Sequence, residues 1–321
     1  MPQQTLLRLL QSSGLLPPQC ISTVSLKALT GGFWNQVLRL RSEYQPPLDW
    51  VVKVFVQGPA NPLFPILAQA EYAALQFLHG HACAPRPVGF IAESPLGSIL
   101  VYEYVQGSAW NCDLDAAARL LARVHRIPVD AGASKVFRNL PTEGADLLDH
   151  AEQMLRRHDT TLSDSVRAAR PDVHGHRAIP VCPECLVHTD CGPGNMVSSP
   201  DGLRLIDWQC PGIGDGLQDV VTFLSPAMQV LYGYAVLTPM QERQFLETYF
   251  AAMHEDPGVA QDSRKRLDLL RSSHHFRFAA YCAMRAQDTA QSDEKTAQLY
   301  RRALLAEMQL LQHPMPRAQA T

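Results

Sequence analysis

The sequence has no long apolar run. Nothing in its 321 residues approaches the ~20 consecutive apolar positions needed to cross a bilayer, so no membrane-spanning segment and no membrane partner are expected. Leu6 to Leu16 comes nearest, but it carries Arg8 and two serines, and no basic segment precedes it. A short amphipathic helix fits that stretch better than a signal peptide. A large charge of either sign is also missing. The net charge is −3, whereas nucleic-acid binders usually show a strongly basic domain, so no nucleic-acid partner is expected. Eight cysteines are scattered without an export signal, which points to reduced thiols and a cytoplasmic location. Cys182 and Cys185 have the spacing of half a zinc site, with Cys191 nearby, but there is no second Cys-x-x-Cys. Ordinary thiols are the simpler reading. What remains is a chain with 46% hydrophobic and 18% charged residues, long enough for one large or two ordinary soluble domains.

The residues that carry chemistry gather in Val187–Asn195 and Leu203–Trp208. Asp190 and Asn195 bracket a Gly192-Pro193-Gly194 bend, which turns their side chains back toward one another. Asp207 follows a short apolar run, Leu203 to Ile206, that reads as a strand with a carboxylate at its exit. Taken singly, these residues have ordinary explanations. An Asp shortly before Gly-Pro is commonly an Asx-turn residue, and one after an apolar run is commonly a helix N-cap. Turn chemistry does not require the downstream Asn and second Asp. Phosphoryl transfer does require such a set: a base for the attacking hydroxyl, and oxygen ligands for nucleotide-bound magnesium.

Upstream, Val24–Leu29 and Gln36–Arg41 read as strands on either side of a turn holding Gly31, Gly32 and Asn35. A loop that exposes backbone at this place could lie over phosphates. Asp49–Val56 is the next strand, with Lys53 in an otherwise apolar run. Val52 and Val54 lie on one face and Val51 and Phe55 on the other, which suggests that both faces are covered. A lysine there is costly unless it meets an anion; an exposed lysine on an edge strand is the alternative. The helix expected over Pro65–His79 buries Leu67, Ala74, Leu75 and Leu78 and carries Glu71. Glu71 is the candidate partner for Lys53, or else a solvated helix glutamate. Cys83–Val88 reads as an extended connection, and Ser98–Val105 as a buried strand.

From Asp113 the composition shifts to helix formers. An amphipathic helix runs through Ala116, Ala117, Leu120, Leu121 and Val124 to His125, which reads as a capping or bridging residue. A further helix is expected over Gly144–Arg157, and Phe223–Gln312 is almost all helical by pattern, with Thr238-Pro239 opening one helix. His274, Arg277, Tyr281 and Arg285 share one helical face, with Arg271, His275 and Phe278 beside it; a solvated basic face is the ordinary alternative.

The ordered set His188, Asp190, Asn195, Ile206, Asp207 and Trp208 resembles the aminoglycoside phosphotransferase and choline kinase family of small-molecule kinases. There the loop reads His-Gly-Asp, four residues, Asn, then Ile-Asp-Trp or Ile-Asp-Phe; Thr189 here replaces the usual glycine. Gly31, Gly32 and Asn35 match the family's Gly-Gly-x-x-Asn, which is not the fuller Gly-x-Gly-x-x-Gly of protein kinases. Leu121, Ala122, Val124 and His125 match a Leu-Ala-x-Leu-His ending. Gly214, Asp215 and Asp219 match Gly-Asp-Pro, two residues, Asp-Leu-Ala, with Gly216 where proline is usual.

The resemblance implies an α+β, bilobal, protein-kinase-like fold: a small antiparallel-sheet N-lobe with one main helix over 1–105, and a larger, mostly helical C-lobe over 106–321. It implies ATP as donor and Mg2+ as metal, with Asp190 as base and Asn195 and Asp207 as metal ligands. Lys53 and the glycine loop would hold the phosphates, Glu71 would orient Lys53, and Glu103, Tyr104 and Val105 would form the adenine-binding hinge. His188, Asp215 and Asp219 would support the loop, and Trp208, His274, Arg277 and Tyr281 would lie near the acceptor. That acceptor is a hydroxyl of a small molecule. If the basic helix face lines the pocket, its sign disfavours a polycationic aminoglycoside and favours a neutral or anionic compound such as a sugar or hydroxy acid, with an amino alcohol as a further candidate. A nucleotide-binding pseudokinase is one alternative, though it would usually have lost one of Lys53, Asp190, Asn195 or Asp207. A metal-dependent hydrolase would leave Lys53 and the glycine hairpin unexplained. Oligomeric state and the choice between ATP and GTP are not legible in the residues.

Overall fold

The computed structural model describes residues 3–29, 35–56, 58, 60–130, 132–173, 183–253 and 256–312. The chain divides into two compact units, each discontinuous: Met1–Ser108 with Val197–Pro211, and Ala109–Met196 with Gly212–Thr321.

The first unit contains helix α1 (Gln3–Ser12), strands β1 (Ser25–Ala28), β2 (Gln36–Ser42) and β3 (Leu48–Val54), helix α2 (Ala68–Phe77), and strands β4 (Pro87–Ile91) and β5 (Ile99–Glu103). The five strands form an antiparallel sheet in the order β1-β2-β3-β5-β4. β3 is interior: Lys53 lies opposite Val37 of β2 and Leu100 of β5. The edge-strand reading of Lys53 is thereby excluded. The strand's period of two turns Val52 and Val54 to one face, where Leu6 and Leu10 of α1 cover them together with Leu16, Leu40, Ile99 and Val101. Each of these fully buried aliphatic side chains contributes about 1.5–3 kcal/mol. Lys53 points to the other side, toward α2.

α2 begins three residues later than the apolar pattern suggests. Leu67 has φ −124° and ψ 81°, outside helical space, and its N–H is committed to Gln209 O at 2.8 Å. The extended connection around Pro85 continues into β4. Pro87 is tolerated as its first residue because β4 pairs only with β5 and that position needs no ladder donor. Gly31 and Gly32 lie outside the described residues. Strands β9 (Met196–Ser199) and β10 (Gly202–Leu205) form a small sheet with β6 (Ser108–Ala109), in the order β10-β9-β6. Leu205 N–H donates to Cys83 O at 2.8 Å, which ties the segment carrying Asp207 into the first unit.

The second unit is mostly helical: α3 (Leu114–His125), α4 (Gly144–Leu155), α5 (Thr161–Arg167), α6 (Leu217–Leu224), α7 (Pro226–Leu231), α8 (Pro239–Met253), α9 (Pro257–Asp288) and α10 (Glu294–Gln312). Its one small sheet runs β7-β11-β8, with β7 at Arg138–Asn139, β8 at Cys185–Val187 and β11 at Gly212–Gly214. Thr238 caps its helix as expected, and Asp113 caps another. Asp113 Oδ1 accepts the Ala116 N–H at the start of α3, and Thr238 Oγ1 accepts the Gln241 N–H at the start of α8. The face of α9 that carries His274, Arg277 and Tyr281 is buried, so the solvated basic face does not exist. Among the described residues no helix is long and apolar enough to cross a membrane.

Candidate functional site

In the first unit, Lys53 is 2% exposed and is held between two carboxylates. Its ammonium donates to Glu71 Oε2 at 2.7 Å and, in a very short bond, to Asp207 Oδ1. Burial by itself would lower the Lys53 pKa. The charges of Asp207 and Glu71 outweigh it and hold the lysine protonated, above its ordinary value. Glu71 is also fully buried, and burial pushes its carboxyl up to about 7 against the pull of Lys53. Asp207 differs, because 35% of its side chain is exposed. It sits just past β10 at φ +63°, left-handed backbone that Asp tolerates better than most residues. Asn35 donates Nδ2–H to Gln209 Oε1 at 3.1 Å, while its buried Oδ1 meets no partner among the described residues.

The expected hinge is more committed than a free backbone reader. Glu103 N–H donates to Arg86 O and Tyr104 N–H to Asp49 O, both at 2.9 Å. Of the three, only Val105 keeps an N–H without a partner among the described residues. Trp208 departs from its expected place near the acceptor. It is wholly buried and donates its indole N–H to Leu205 O at 2.9 Å, so it packs the turn instead of offering a surface.

In the second unit, the loop after β8 hangs on Asp219 of α6. Its Oδ2 accepts the His188 N–H and its Oδ1 the Thr189 N–H, each at 2.8 Å, and Oδ2 also meets His125 Nε2 at 3.2 Å. Burial opposes the Asp219 charge, but the hydrogen bond and charge of His125, with the His188 contacts, hold its pKa below the ordinary carboxylate value. His125 bridges onward, from Asp219 to Tyr249 Oη at 2.9 Å. His188 Nδ1 accepts the Asp190 N–H at 3.2 Å. Asp215 Oδ1 accepts the Leu217 N–H at 2.9 Å, and Oδ2 pairs with Arg266.

Asp190 is oriented by a residue that pattern reading missed. Tyr232, just past α7, donates its O–H to Asp190 Oδ1 at 2.9 Å. Asn195 Nδ2 donates to Asp190 O at 2.7 Å and to Tyr232 Oη at 2.9 Å. Both amide hydrogens being spent, the Asn195 Oδ1 is left as an acceptor. The glycines of the Gly-Pro-Gly bend have a steric cause. Neither Gly192 nor Gly194 has positive φ, but a Cβ on Gly192 would lie 2.2 Å from Tyr232 Cε2 and one on Gly194 2.0 Å from Cδ1. The loop is glycine-rich because it wraps an aromatic ring. The only local signal for Tyr232 is the helix stop beside it, with Gly233 at φ +80°; nothing there names its target.

Two residues of this unit depart from the usual motif. Thr189, standing for glycine, has φ +69°, a strained conformation for a β-branched residue. Its Oγ1 accepts Arg138 Nη2–H at 3.4 Å. Gly216 stands where proline is usual, and a Cβ there would lie 2.7 Å from His125 Nδ1. Cys185 and Cys191 are buried, their thiols donating to Gly214 O at 3.6 Å and Asp219 O at 3.0 Å, and Cys182 lies outside the described residues.

The sequence matches the phosphotransferase enzyme family over residues 25–262, and the chain belongs to that family. No curated protein matches the sequence closely. Among solved structures, the fold is similar to Plasmodium vivax ethanolamine kinase, at 11% identity and TM-score 0.64, covering 93% of this chain and 85% of that one. It is similar to the choline kinase LicA from Streptococcus pneumoniae, at 18% identity and TM-score 0.60, covering 93% and 96%. It is also similar to the streptomycin-ATP-APH(2")-IIa ternary complex, at 16% identity and TM-score 0.55, covering 94% and 97%. At these identities the likeness is one of fold, the protein-kinase-like α+β architecture that the motif order led us to expect.

Proposed function

We propose that the protein is an ATP-dependent small-molecule kinase that moves the γ-phosphate of ATP to a hydroxyl group. The observation that carries this reading is the buried Lys53 between Glu71 and Asp207, three residues remote in sequence. An ammonium so placed in an interior strand needs a functional reason, because an apolar residue would serve packing better. Phosphate binding supplies one. ATP as donor is further supported by the family and by the ATP-bound neighbour.

The residues present fit magnesium. Asn195 keeps its Oδ1 as an acceptor because both amide hydrogens are donated, and Asp207 keeps Oδ2 with 35% of its side chain exposed. Among the described residues no group of three His, Cys, Asp or Glu could hold a metal alone. Asn195 and Asp207 each offer the kind of oxygen that magnesium takes. When bound, magnesium would neutralise charge on the transferring phosphoryl group.

The chain's own part is positioning. Asp190, fixed by Tyr232 and by the loop's attachment to Asp219, receives the acceptor's proton as the acceptor oxygen bonds to the γ-phosphorus and the bond to ADP breaks. Lys53 holds the phosphate tail, and Val105 offers the backbone donor for a base. The acceptor is a small hydroxyl compound such as a sugar, amino alcohol or hydroxy acid. The test is ADP release from Mg-ATP across a panel of hydroxylated metabolites and antibiotics. Release that depends on a hydroxyl compound is expected. ATP binding without any acceptor-dependent turnover would refute it.

A further inference from the structure

The long helix α9 carries four largely buried arginines, and three of them meet an acid, Arg285 with Asp288 among them. Arg266 pairs with Asp215, and Arg271 with Glu242. Arg277 does not. It is 7% exposed, and its one hydrogen bond among the described residues, from Nη2 at 3.2 Å, goes to His274 Nδ1, another nitrogen. Its Nε–H has no acceptor among the described residues. Burial, reinforced by the nearby positive charge of Arg138, pushes its pKa down to about 9. His274 offers no compensation, since burial together with the Arg277 charge holds it well below its ordinary value and neutral.

One turn back on the same face, the hydroxyl of Ser273 is wholly buried and also lacks a partner among the described residues. It faces the first residue of α4, Gly144, where a Cβ would lie 3.1 Å from Ser273 Oγ. The cluster reaches the proposed base through Arg138, whose Nη2 donates to Thr189 Oγ1 beside Asp190. A buried guanidinium without an anion destabilises the protein that holds it. Among the described residues the arrangement lacks a negative group.

We propose that Arg277, with Arg138 and Ser273, receives an oxyanion of the phosphate acceptor, so that the acceptor is a hydroxylated carboxylate or phosphate ester. This rests on the kinase reading above and narrows it. A neutral or cationic alcohol leaves Arg277 without its counter-charge, whereas a carboxylate or phosphate oxygen fills the Nε position and the Ser273 hydroxyl together.

The test uses four small alcohols that differ in charge: glycerol, ethanolamine, glycerate and glycerol 3-phosphate. Thermal denaturation and titration calorimetry are run on the wild-type chain, Arg277→Met and Arg277→Lys. Either anion should raise the wild-type melting temperature, while glycerol and ethanolamine leave it unchanged; the stronger of the two anions tells carboxylate from phosphate ester. Arg277→Met should melt higher than wild type without ligand, because it removes an unmatched buried charge. It should also bind the anion about 100-fold more weakly. A purely structural arginine gives the opposite sign in the unliganded protein. Arg277→Lys should fall between the two in affinity. No stabilisation by either anion, or equal stabilisation of Arg277→Met, overturns the proposal. Phosphate transfer from Mg-ATP to ethanolamine or glycerol but to neither anion also overturns it, and leaves the kinase reading intact. Anion binding that depends on Arg277, with no phosphate transfer to any alcohol, refutes the kinase reading and leaves the anion site.

Discussion

Replacing Thr189 by glycine should make this protein more stable, a rare direction for a substitution in a functional loop. Thr189 is held at φ +69° by two N–H···O bonds, its own and that of His188, both to the buried carboxylate of Asp219. A non-glycine residue in left-handed backbone costs about 1–3 kcal/mol, and a β-branched side chain belongs in the upper half of that range, so about 2 kcal/mol is stored here. Glycine releases it but gives back about 0.4–1 kcal/mol through greater freedom of the unfolded chain. The Arg138 bond that is lost, 3.4 Å long, was worth at most about 0.5 kcal/mol. The net is roughly 1 kcal/mol in favour of the variant, or about 2–4 °C in melting temperature. Thr189→Val is the control, since it keeps the strain and loses only the hydroxyl, and it should melt slightly lower than wild type. Thermal denaturation by circular dichroism at one pH decides the matter. If Thr189→Gly melts more than 2 °C below wild type, the strain argument fails. If the glycine and valine variants fall equally, the hydroxyl contact with Arg138 is what matters at this position.

Asp190→Ala should lower turnover by ~10²-fold or more while ATP still binds, as read by steady-state kinetics beside nucleotide titration; near-normal turnover removes Asp190 from the mechanism. Tyr232→Phe keeps the ring that fills the Gly-Pro-Gly bend and removes the hydroxyl that donates to Asp190 and accepts from Asn195, so turnover should drop about 10-fold with a melting temperature lower by only a few degrees. An unchanged kcat would deny Tyr232 its positioning role. Asp219 has a folded pKa below the unfolded value, so its stabilisation is full above about pH 4 and is lost as pH falls through the lower folded value. Asp219→Asn should be less stable at neutral pH and should lack this part of the acid transition; matching acid limbs in denaturant titrations of the two proteins would count against the assignment.

The pattern of residues behind the proposed function was legible because they are close in the chain and their types are those the proposed chemistry requires. Asp190, Asn195 and Asp207 lie within eighteen positions, and magnesium asks for oxygen ligands whatever the fold. The strand around Lys53 was legible for another reason: alternation in β3 is local, and a lysine in the middle of it stands out. Boundaries were less exact where a backbone bond to a distant residue decided them, as at Leu67.

From order and residue type alone, this sequence determined the strand lysine, the helix glutamate, the bend with its carboxylate and carboxamide, and the helical character of the second half. Tertiary structure decided what holds those groups in place. Tyr232 on Asp190, His125 on Asp219, the Tyr232 ring behind Gly192 and Gly194, and the unmatched Arg277 all depend on residues far apart in the chain. Periodicity reports which face of an element is buried, because that depends on neighbours three or four residues away. It carries no information on which buried polar group meets which, because that choice is made only when separate elements pack.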